Sequence, residues 1–314
     1  MDRIAVVGVG LVGRAWAIVF ARAGFSVVLH DRAAAILDAS LATIETSLAD
    51  LAAAGLLQEA PAAVRARISR AASLADALAG ASYVQESLPE LPAVKREIFA
   101  AMDGLAAPDT VLASSTSAIP GSSFTEGLKG RARCLVVHPV NPPHLVPLVE
   151  LCGAPWTAPD TVARTRALME RAGQVPITVK RELEGFVLNR LQAALLNEAF
   201  RLIDQGVVSA DDLDKTVKDG LGLRWAFMGP METIDLNAPA GVADYLERYG
   251  PFIGRIDDEA KTAPCPGADF ARALETARRA VLPADRLGAR AAWRDRRLMA
   301  LLAHKSEMSK HSKE

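Results

Sequence analysis

The chain has only three cysteines in 314 residues, Cys134, Cys152 and Cys265, odd in number, widely spaced and in no Cys-x-x-Cys arrangement. That pattern builds neither a disulfide framework nor a zinc site, and all three read as buried or inert thiols. A cation excess is missing too: 36 Lys and Arg stand against 37 Asp and Glu, for a formal net charge of -1. Nucleic acid or an anionic membrane surface would favour a basic chain, so a small-molecule partner is the expectation. No apolar run approaches the ~20 residues of a membrane span, and the apolar start at Ile4–Val9 is too short and too soon broken by glycine for a cleavable signal. A cytoplasmic protein is expected, with Lys305–Glu314 a solvated tail. What remains is a chain with 50% hydrophobic residues, long enough for two domains.

Ile4–Val7 is a continuous apolar run of strand type that leads into Gly8-Val9-Gly10-Leu11-Val12-Gly13, and Arg14–Ala23 carries helix-forming residues. In a strand, glycine turn and helix unit the first glycine permits the bend, the second lets backbone approach a pyrophosphate, and the third lets helix and strand pack closely. The helix N-terminus then faces the phosphates. A second apolar run, Ser26–His30, ends at Asp31, about 20 residues on, where a ribose-binding acid belongs. Its carboxylate would accept hydrogen bonds from the adenosine ribose and repel a 2′-phosphate, which favours NAD over NADP. Arg32 beside it speaks the other way, and a capping or loop acid is the plain alternative for Asp31.

Ala33–Leu57 is rich in Ala and Leu and reads as one long helix or a helical pair without a single Lys or Arg. Ser73, with Asp76 three positions on, marks the start of a short helix. Ser82–Glu86 reads as a strand followed by Glu90, and Pro92–Met102 as a helix with Pro92 in its first turn. Lys95, near that end, either reaches a ligand at the strand ends or is a surface lysine paired with a glutamate. Thr110–Ala113 is a further strand closed by Ser114-Ser115-Thr116-Ser117, whose hydroxyls suit turns and caps or donation to a substrate oxygen.

Asp160–Ala172 (helix) and Val175–Val179 (strand) complete the alternation, and the charged connector Lys180–Glu184 marks a boundary. Beyond it the pattern is helical. Phe186–Asp204 is a long apolar-rich helix interrupted by Asn189 and Arg190, a polar pair that wants partners. Ser209 with Asp212 opens another helix. Gly220–Trp225 reads as a glycine-loosened loop before a helix around Met231–Asn237, and Ala268–Val281 and Arg286–Ala303 are amphipathic. The expected class is α/β, a Rossmann-type doubly wound sheet over residues 1–184 followed by an all-α C-terminal domain over 185–314, whose apolar faces suggest a symmetric homodimer.

Between these parts lies His138-Pro-Val-Asn-Pro-Pro-His-Leu-Val-Pro-Leu-Val-Glu150, which sets an imidazole and a carboxylate in an apolar, proline-stiffened segment. Arg133–Val137 and Val146–Leu151 read as adjacent strands, so the two groups could meet. An imidazole titrates near neutrality, and a carboxylate partner would fix its tautomer and stabilise its protonated form, as a general base requires. Taken alone, a turn histidine and an unrelated strand-end acid is the plainer reading of the pair. The cofactor turn before it and the asparagine-bearing helix after it favour the base.

With these residues in place the chain resembles the L-3-hydroxyacyl-CoA dehydrogenase superfamily, and within it the lambda-crystallin or L-gulonate 3-dehydrogenase branch. The resemblance runs nearly end to end, on Gly8–Gly13, Ser115–Ser117, His138–Pro143, Val146–Glu150, Gly185–Arg190, Gly220–Arg224 and Ala292–Asp295. It implies an NAD-binding domain, a helical dimerising domain and an active site in the cleft between them. It makes His138 the catalytic base, Glu150 its orienting partner, and Ser117 and Asn189 polar contacts to the reacting oxygen. It adds Glu90, Lys95, Ser117 and Asn141 to Gly8, Gly10, Leu11, Val12, Gly13 and Asp31 on the cofactor side. No metal is required, since the hydride chemistry belongs to NAD. CoA-using members carry His-Phe-Phe-Asn-Pro where this chain has His138-Pro-Val-Asn-Pro, and hold CoA with serine and lysine in the early helical region. Here no cation lies between Arg32 and Arg65, which favours a small free L-3-hydroxy acid such as L-gulonate over a CoA thioester. Arg224, beside Trp225, is the candidate partner for its carboxylate, a structural salt bridge being the alternative, and His144 reads as a loop histidine. A non-catalytic, crystallin-like or NAD-binding role is the reading from another class.

Overall fold

Eight short strands form one sheet: β1 (Arg3–Val7), β2 (Ser26–His30), β3 (Ile68–Arg70), β4 (Tyr83–Glu86), β5 (Val111–Ser114), β6 (Cys134–Pro139), β7 (Leu148–Gly153) and β8 (Val175–Val179). The structure is a computed structural model that describes residues 2–262 and 267–311; Cys265 and the last three residues of the expected tail lie outside them. The strand order is β3-β2-β1-β4-β5-β6-β7-β8. The first six strands are parallel, β7 runs antiparallel to β6, and β8 is parallel to β7. This is the expected Rossmann-type doubly wound sheet with an added antiparallel pair. Alternation along β1 divides the interior: Ile4 and Val6 join a core with Trp16, Phe20, Leu48, Leu151 and Met299, while Ala5 and Val7 join a core with Phe99, Phe124, Val136 and Phe186.

Helices α1 (Leu11–Arg22), α2 (Ala34–Ala53), α3 (Pro61–Arg65), α4 (Leu74–Leu78), α5 (Pro92–Leu105), α6 (Ser122–Thr125) and α7 (Pro159–Arg171) connect the strands. Capping works as the sequence implies, with the Ser73 hydroxyl accepting from Asp76 N–H at 3.1 Å. The three-residue β3 is an edge strand with only Ile68 buried, too short to carry a periodic signal, and the sequence reading passed over it.

The second part of the chain is helical: α8 (Leu188–Asp204), α9 (Ala210–Lys215), α10 (Gly222–Trp225), α11 (Pro230–Leu236), α12 (Val242–Thr262), α13 (Ala268–Val281) and α14 (Leu287–His311). Gly220–Trp225 is not the loop expected from its glycines. Thr216–Leu221 is a π turn that runs into α10, and at Gly222 a Cβ would lie 2.9 Å from the Val217 carbonyl oxygen. The glycine there admits a close backbone approach inside a wide helical turn. By contacts the chain forms two compact units, Met1–Asn189 with Ala289–Glu314, and Arg190–Gly288. All of α14 beyond its first two residues therefore belongs to the unit of the sheet, where Met299 is buried beside Leu298 and Leu302.

A buried ion pair stands at the carboxyl end of β4, where the strand order reverses between β1 and β4. Glu86 and Lys95 are 0% and 1% exposed. The Lys95 ammonium donates to both Glu86 carboxylate oxygens (2.8 and 3.0 Å) and to Leu88 O (3.0 Å), and Ser114 Oγ donates to Glu86 Oε2 at 2.6 Å. Lys95 is thus neither at the surface nor open to solvent. Burial raises the Glu86 carboxyl against the pull of Lys95 and its hydrogen bonds. Removing the ammonium strands a carboxylate in the interior, so Lys95→Met is expected to cost about 3–5 kcal/mol in urea unfolding at neutral pH, with Glu86→Gln in the same chain recovering most of it.

Candidate active site

The glycine turn is shaped for a dinucleotide. Gly8 has φ +87°, and a Cβ there would meet the Ser87 backbone at 2.9 Å. A Cβ on Gly13 would fall 1.9 Å from Gly8 O, so helix α1 crosses its strand at a distance only glycine allows. Gly10 faces open space instead. It precedes a 12-residue helix with no side-chain cap and no acid in its first turn, so the N–H groups of that turn are available to an anion. Leu11 is exposed and Val12 packs on the core. Asp31 follows the end of β2 and is held by Val9 N–H on Oδ2 (3.1 Å) and Ala33 N–H on Oδ1 (3.2 Å), so the carboxylate fixes the turn where a ribose-binding acid is expected. Arg32 is bound to Glu97 at 2.5 Å, which leaves it less able to attract a 2′-phosphate. Gly8, Asp31, Leu88 and Ile98 line a cavity of about 220 Å³ beside that acid. These features fit NAD.

Antiparallel pairing of β6 with β7 sets His138 directly opposite Glu150. His138 Nδ1 lies 2.7 Å from Glu150 Oε2, with His138 4% and Glu150 0% exposed. Glu150 Oε1 accepts from Val187 N–H (2.9 Å) and Leu188 N–H (3.0 Å) at the start of α8. Burial pushes the Glu150 carboxyl up, but the hydrogen bonds with His138, Leu188 N–H and Val187 N–H outweigh it and hold the group below its usual range. An ionised acceptor on Nδ1 places the proton there and leaves Nε2 as the basic atom. The two N–H groups reach Glu150 because Gly185 and Phe186 both take left-handed φ values, 75° and 49°. For a phenylalanine that costs on the order of 1–3 kcal/mol. Its ring is fully buried, 5.6 Å from the imidazole. Sequence reading missed this turn, although Gly185 ahead of an apolar helix was its one visible sign.

The hydroxyl run after β5 divides by direction. Ser114 and Ser115 point inward: Ser115 Oγ accepts from Gln85 Nε2 (2.7 Å) and Trp16 Nε1 (3.1 Å) in a buried network. Thr116 and Ser117 form the loop above it. One oxygen of Glu90, Oε1, takes Ser117 N–H (2.9 Å), Ala118 N–H (3.1 Å) and the Thr116 hydroxyl. Asn189 Nδ2 donates to Ser117 O at 2.8 Å, so the polar interruption in α8 finds its partner on this loop. The Ser117 hydroxyl is exposed and has no hydrogen-bond partner among the described residues. Asn141 is exposed on the connector between β6 and β7, and Arg224 is exposed on α10 in the unit Arg190–Gly288. His144 is partly buried, and burial, then Arg22, with a smaller push from Arg14, lowers its imidazole to about 4 against Asp295. Cys134 and Cys152 are buried, and burial raises both thiols to about 12, which makes them inert.

The 3-hydroxyacyl-CoA dehydrogenase NAD binding domain family matches residues 3–182, and the 3-hydroxyacyl-CoA dehydrogenase C-terminal domain family matches residues 185–260. A lambda-crystallin homolog of Bos taurus is 44% identical over 309 residues, covering 97% of this chain and 96% of that one. An L-carnitine dehydrogenase of Burkholderia mallei is 36% identical over 81% of this chain and 78% of its own. Among solved structures, a 5-formyl-3-hydroxy-2-methylpyridine 4-carboxylic acid 5-dehydrogenase, described as an NAD+ dependent dismutase, has a TM-score of 0.82 at 30% identity, covering 96% of this chain and 97% of that one.

Because the fold holds Glu150 ionised, its contribution to stability is present above the ordinary glutamate value of 4.5 and is lost as pH falls through the lowered folded value. Glu150→Gln is therefore expected to lose about 2 kcal/mol at pH 7. The gap to the wild type should close as pH falls below the ordinary glutamate value and through the lowered folded one, as read by urea unfolding at a series of pH values.

Proposed function

Since the chain belongs to the 3-hydroxyacyl-CoA dehydrogenase family and is an NAD-dependent oxidoreductase, we propose that it oxidises the 3-hydroxyl of a small free L-3-hydroxy acid, with L-gulonate the leading substrate. The observation that carries the reading is the His138–Glu150 pair at 2.7 Å on the strand pair that extends the nucleotide-binding sheet. His138 Nε2 takes the proton of the C3 hydroxyl, Nδ1–H stays on Glu150 Oε2, and Glu150 stabilises the imidazolium that forms. NAD, when bound, accepts the hydride from C3. Ser117 Oγ and the Asn189 side-chain amide hold the reacting oxygen, and the bond from Asn189 to Ser117 O keeps the two together. Glu90 acts on the site by fixing the Ser117 loop, and Lys95 by bracing Glu86 and Leu88 beneath the cofactor. Gly8, Gly10, Leu11, Val12, Gly13, Asp31 and Asn141 complete the cofactor side.

A free acid is supported by the early helical segment, where no cation lies between Arg32 and Arg65, and by relatives named for L-carnitine and for a pyridine carboxylic acid. Its carboxylate needs a cation. Arg224, in the unit Arg190–Gly288, is one candidate. A CoA thioester, as in the description of the matched family, is the second reading. We assign cofactor binding to residues 1–184 and substrate selection and homodimer formation to 185–314, where Leu223, Phe227, Met231 and Leu236 are exposed. We also place the protein in the cytoplasm; no described helix is long and apolar enough to cross a membrane.

Replacing the base tests the mechanism: His138→Gln should lower kcat by about 10²–10⁴-fold while NADH binds within about twofold of the wild type. Unchanged NADH formation overturns it. Side-by-side turnover of L-gulonate, L-3-hydroxybutyrate and L-3-hydroxybutyryl-CoA tests the substrate class. Preference for a free acid is expected, and preference for the thioester, or no turnover of either acid, overturns that choice.

A further inference from the structure

The Ala292-Trp293-Arg294-Asp295 motif near the C-terminus plays no part in the His138 chemistry, yet its Ala292, Arg294 and Asp295 line a cavity of about 190 Å³ in the nucleotide-binding unit. Other walls come from Leu11 and Arg14 on α1, Ser47 and Asp50 on α2, and Asn141 on the connector after β6. The cavity thus touches both the glycine turn and the segment that follows His138. Its charges are not balanced. Arg294 is paired with Asp295 at 2.7 Å. Arg14 and Arg296 line the same space and form no ion pair among the described residues, against one unpaired carboxylate, Asp50. Helix α2 has no Lys or Arg of its own, and folding brings both guanidinium groups to it from α1 and α14.

A guanidinium with its fork unpaired in a concave wall matches an oxyanion, which it can hold through two parallel hydrogen bonds. His144 lies on the same wall, where burial first, then Arg22, with a smaller push from Arg14 against the pull of Asp295, lowers its imidazole to about 4. We propose that this cavity is an oxyanion subsite of the dehydrogenase, in which Arg14 and Arg296 bind an oxyanion carried by the substrate. Its link to catalysis rests on the hydroxy acid reading above. The oxyanion is the carboxylate of a free acid or a phosphate of a CoA ester. Asp50 opposes a phosphate dianion more strongly than a carboxylate and can accept from a substrate hydroxyl, so the free acid is the expected source.

The test uses the full chain saturated with NADH, which forms a non-reacting ternary complex with a hydroxy acid. Calorimetric titration with L-gulonate, L-3-hydroxybutyrate, the methyl ester of L-3-hydroxybutyrate and coenzyme A is carried out on the wild type, Arg14→Ala, Arg296→Ala, Arg296→Lys and Arg224→Ala. Arg14→Ala and Arg296→Ala should each weaken the acids about tenfold or more, the worth of one charge-assisted hydrogen bond, with ester and NADH affinities unchanged and part of the loss recovered by Arg296→Lys. Weakened coenzyme A with unchanged acids keeps the oxyanion subsite and overturns the free acid as its source. Unchanged affinity for every probe, equal weakening of the ester or of NADH, an effect in Arg224→Ala alone, or a wild type that binds none of the probes each overturns the subsite. His138→Gln reports on the dehydrogenase reading independently.

Discussion

A carboxylate set inside a sheet is tolerable only if each oxygen that has lost water finds a donor, and Glu150 meets that condition from two directions. One oxygen faces His138 Nδ1 on the neighbouring strand, and the other takes two consecutive N–H groups from the start of α8. The antiparallel register of β6 and β7, the left-handed turn at Gly185 and Phe186, and the first turn of α8 therefore converge on one side chain. Each of them orients the imidazole through it. The same helix start carries Asn189, which holds the Ser117 loop, so the imidazole and that loop share one anchor.

Much of this was legible because the chemistry is written in local patterns. The glycine turn, Asp31 at the end of the second strand, and the His138 and Glu150 strand ends each pair a residue type with a backbone context, and the structure puts them where the pattern implied. Direction was harder. Ser114 to Ser117 read as a single hydroxyl cluster, but the buried Ser114 turns to Glu86 and its neighbour Ser115 to Gln85 and Trp16, which leaves Thr116 and Ser117 for the loop. Lys95 read as a ligand contact or a surface lysine because a buried ammonium is rare and its acceptors, Glu86 and Leu88 O, lie in another element. The glycines before Arg224 read as a loop because glycine usually ends a helix, whereas here it admits a wide turn within one.

Absence of charge in one segment proved a partial guide. The missing cations of α2 are real, but the space beside that helix is lined by arginines from α1 and from the C-terminal helix. Sequence distance hid this, since Arg14 and Arg296 are brought together only by the return of α14 onto the sheet unit. The sheet and the first turn of α8 orient the imidazole, while the arginines beside α2 come from helices far apart in the chain.

The tautomer of His138 is the most direct measure of whether Glu150 orients it as a base. Nitrogen-15 NMR of the imidazole, in the NADH-bound protein at a pH where the ring is neutral, separates a protonated from an unprotonated ring nitrogen. A proton on Nδ1, with Nε2 bare and the assignment lost in Glu150→Ala, is the expected result. A neutral ring with its proton on Nε2 would contradict a base oriented by Glu150.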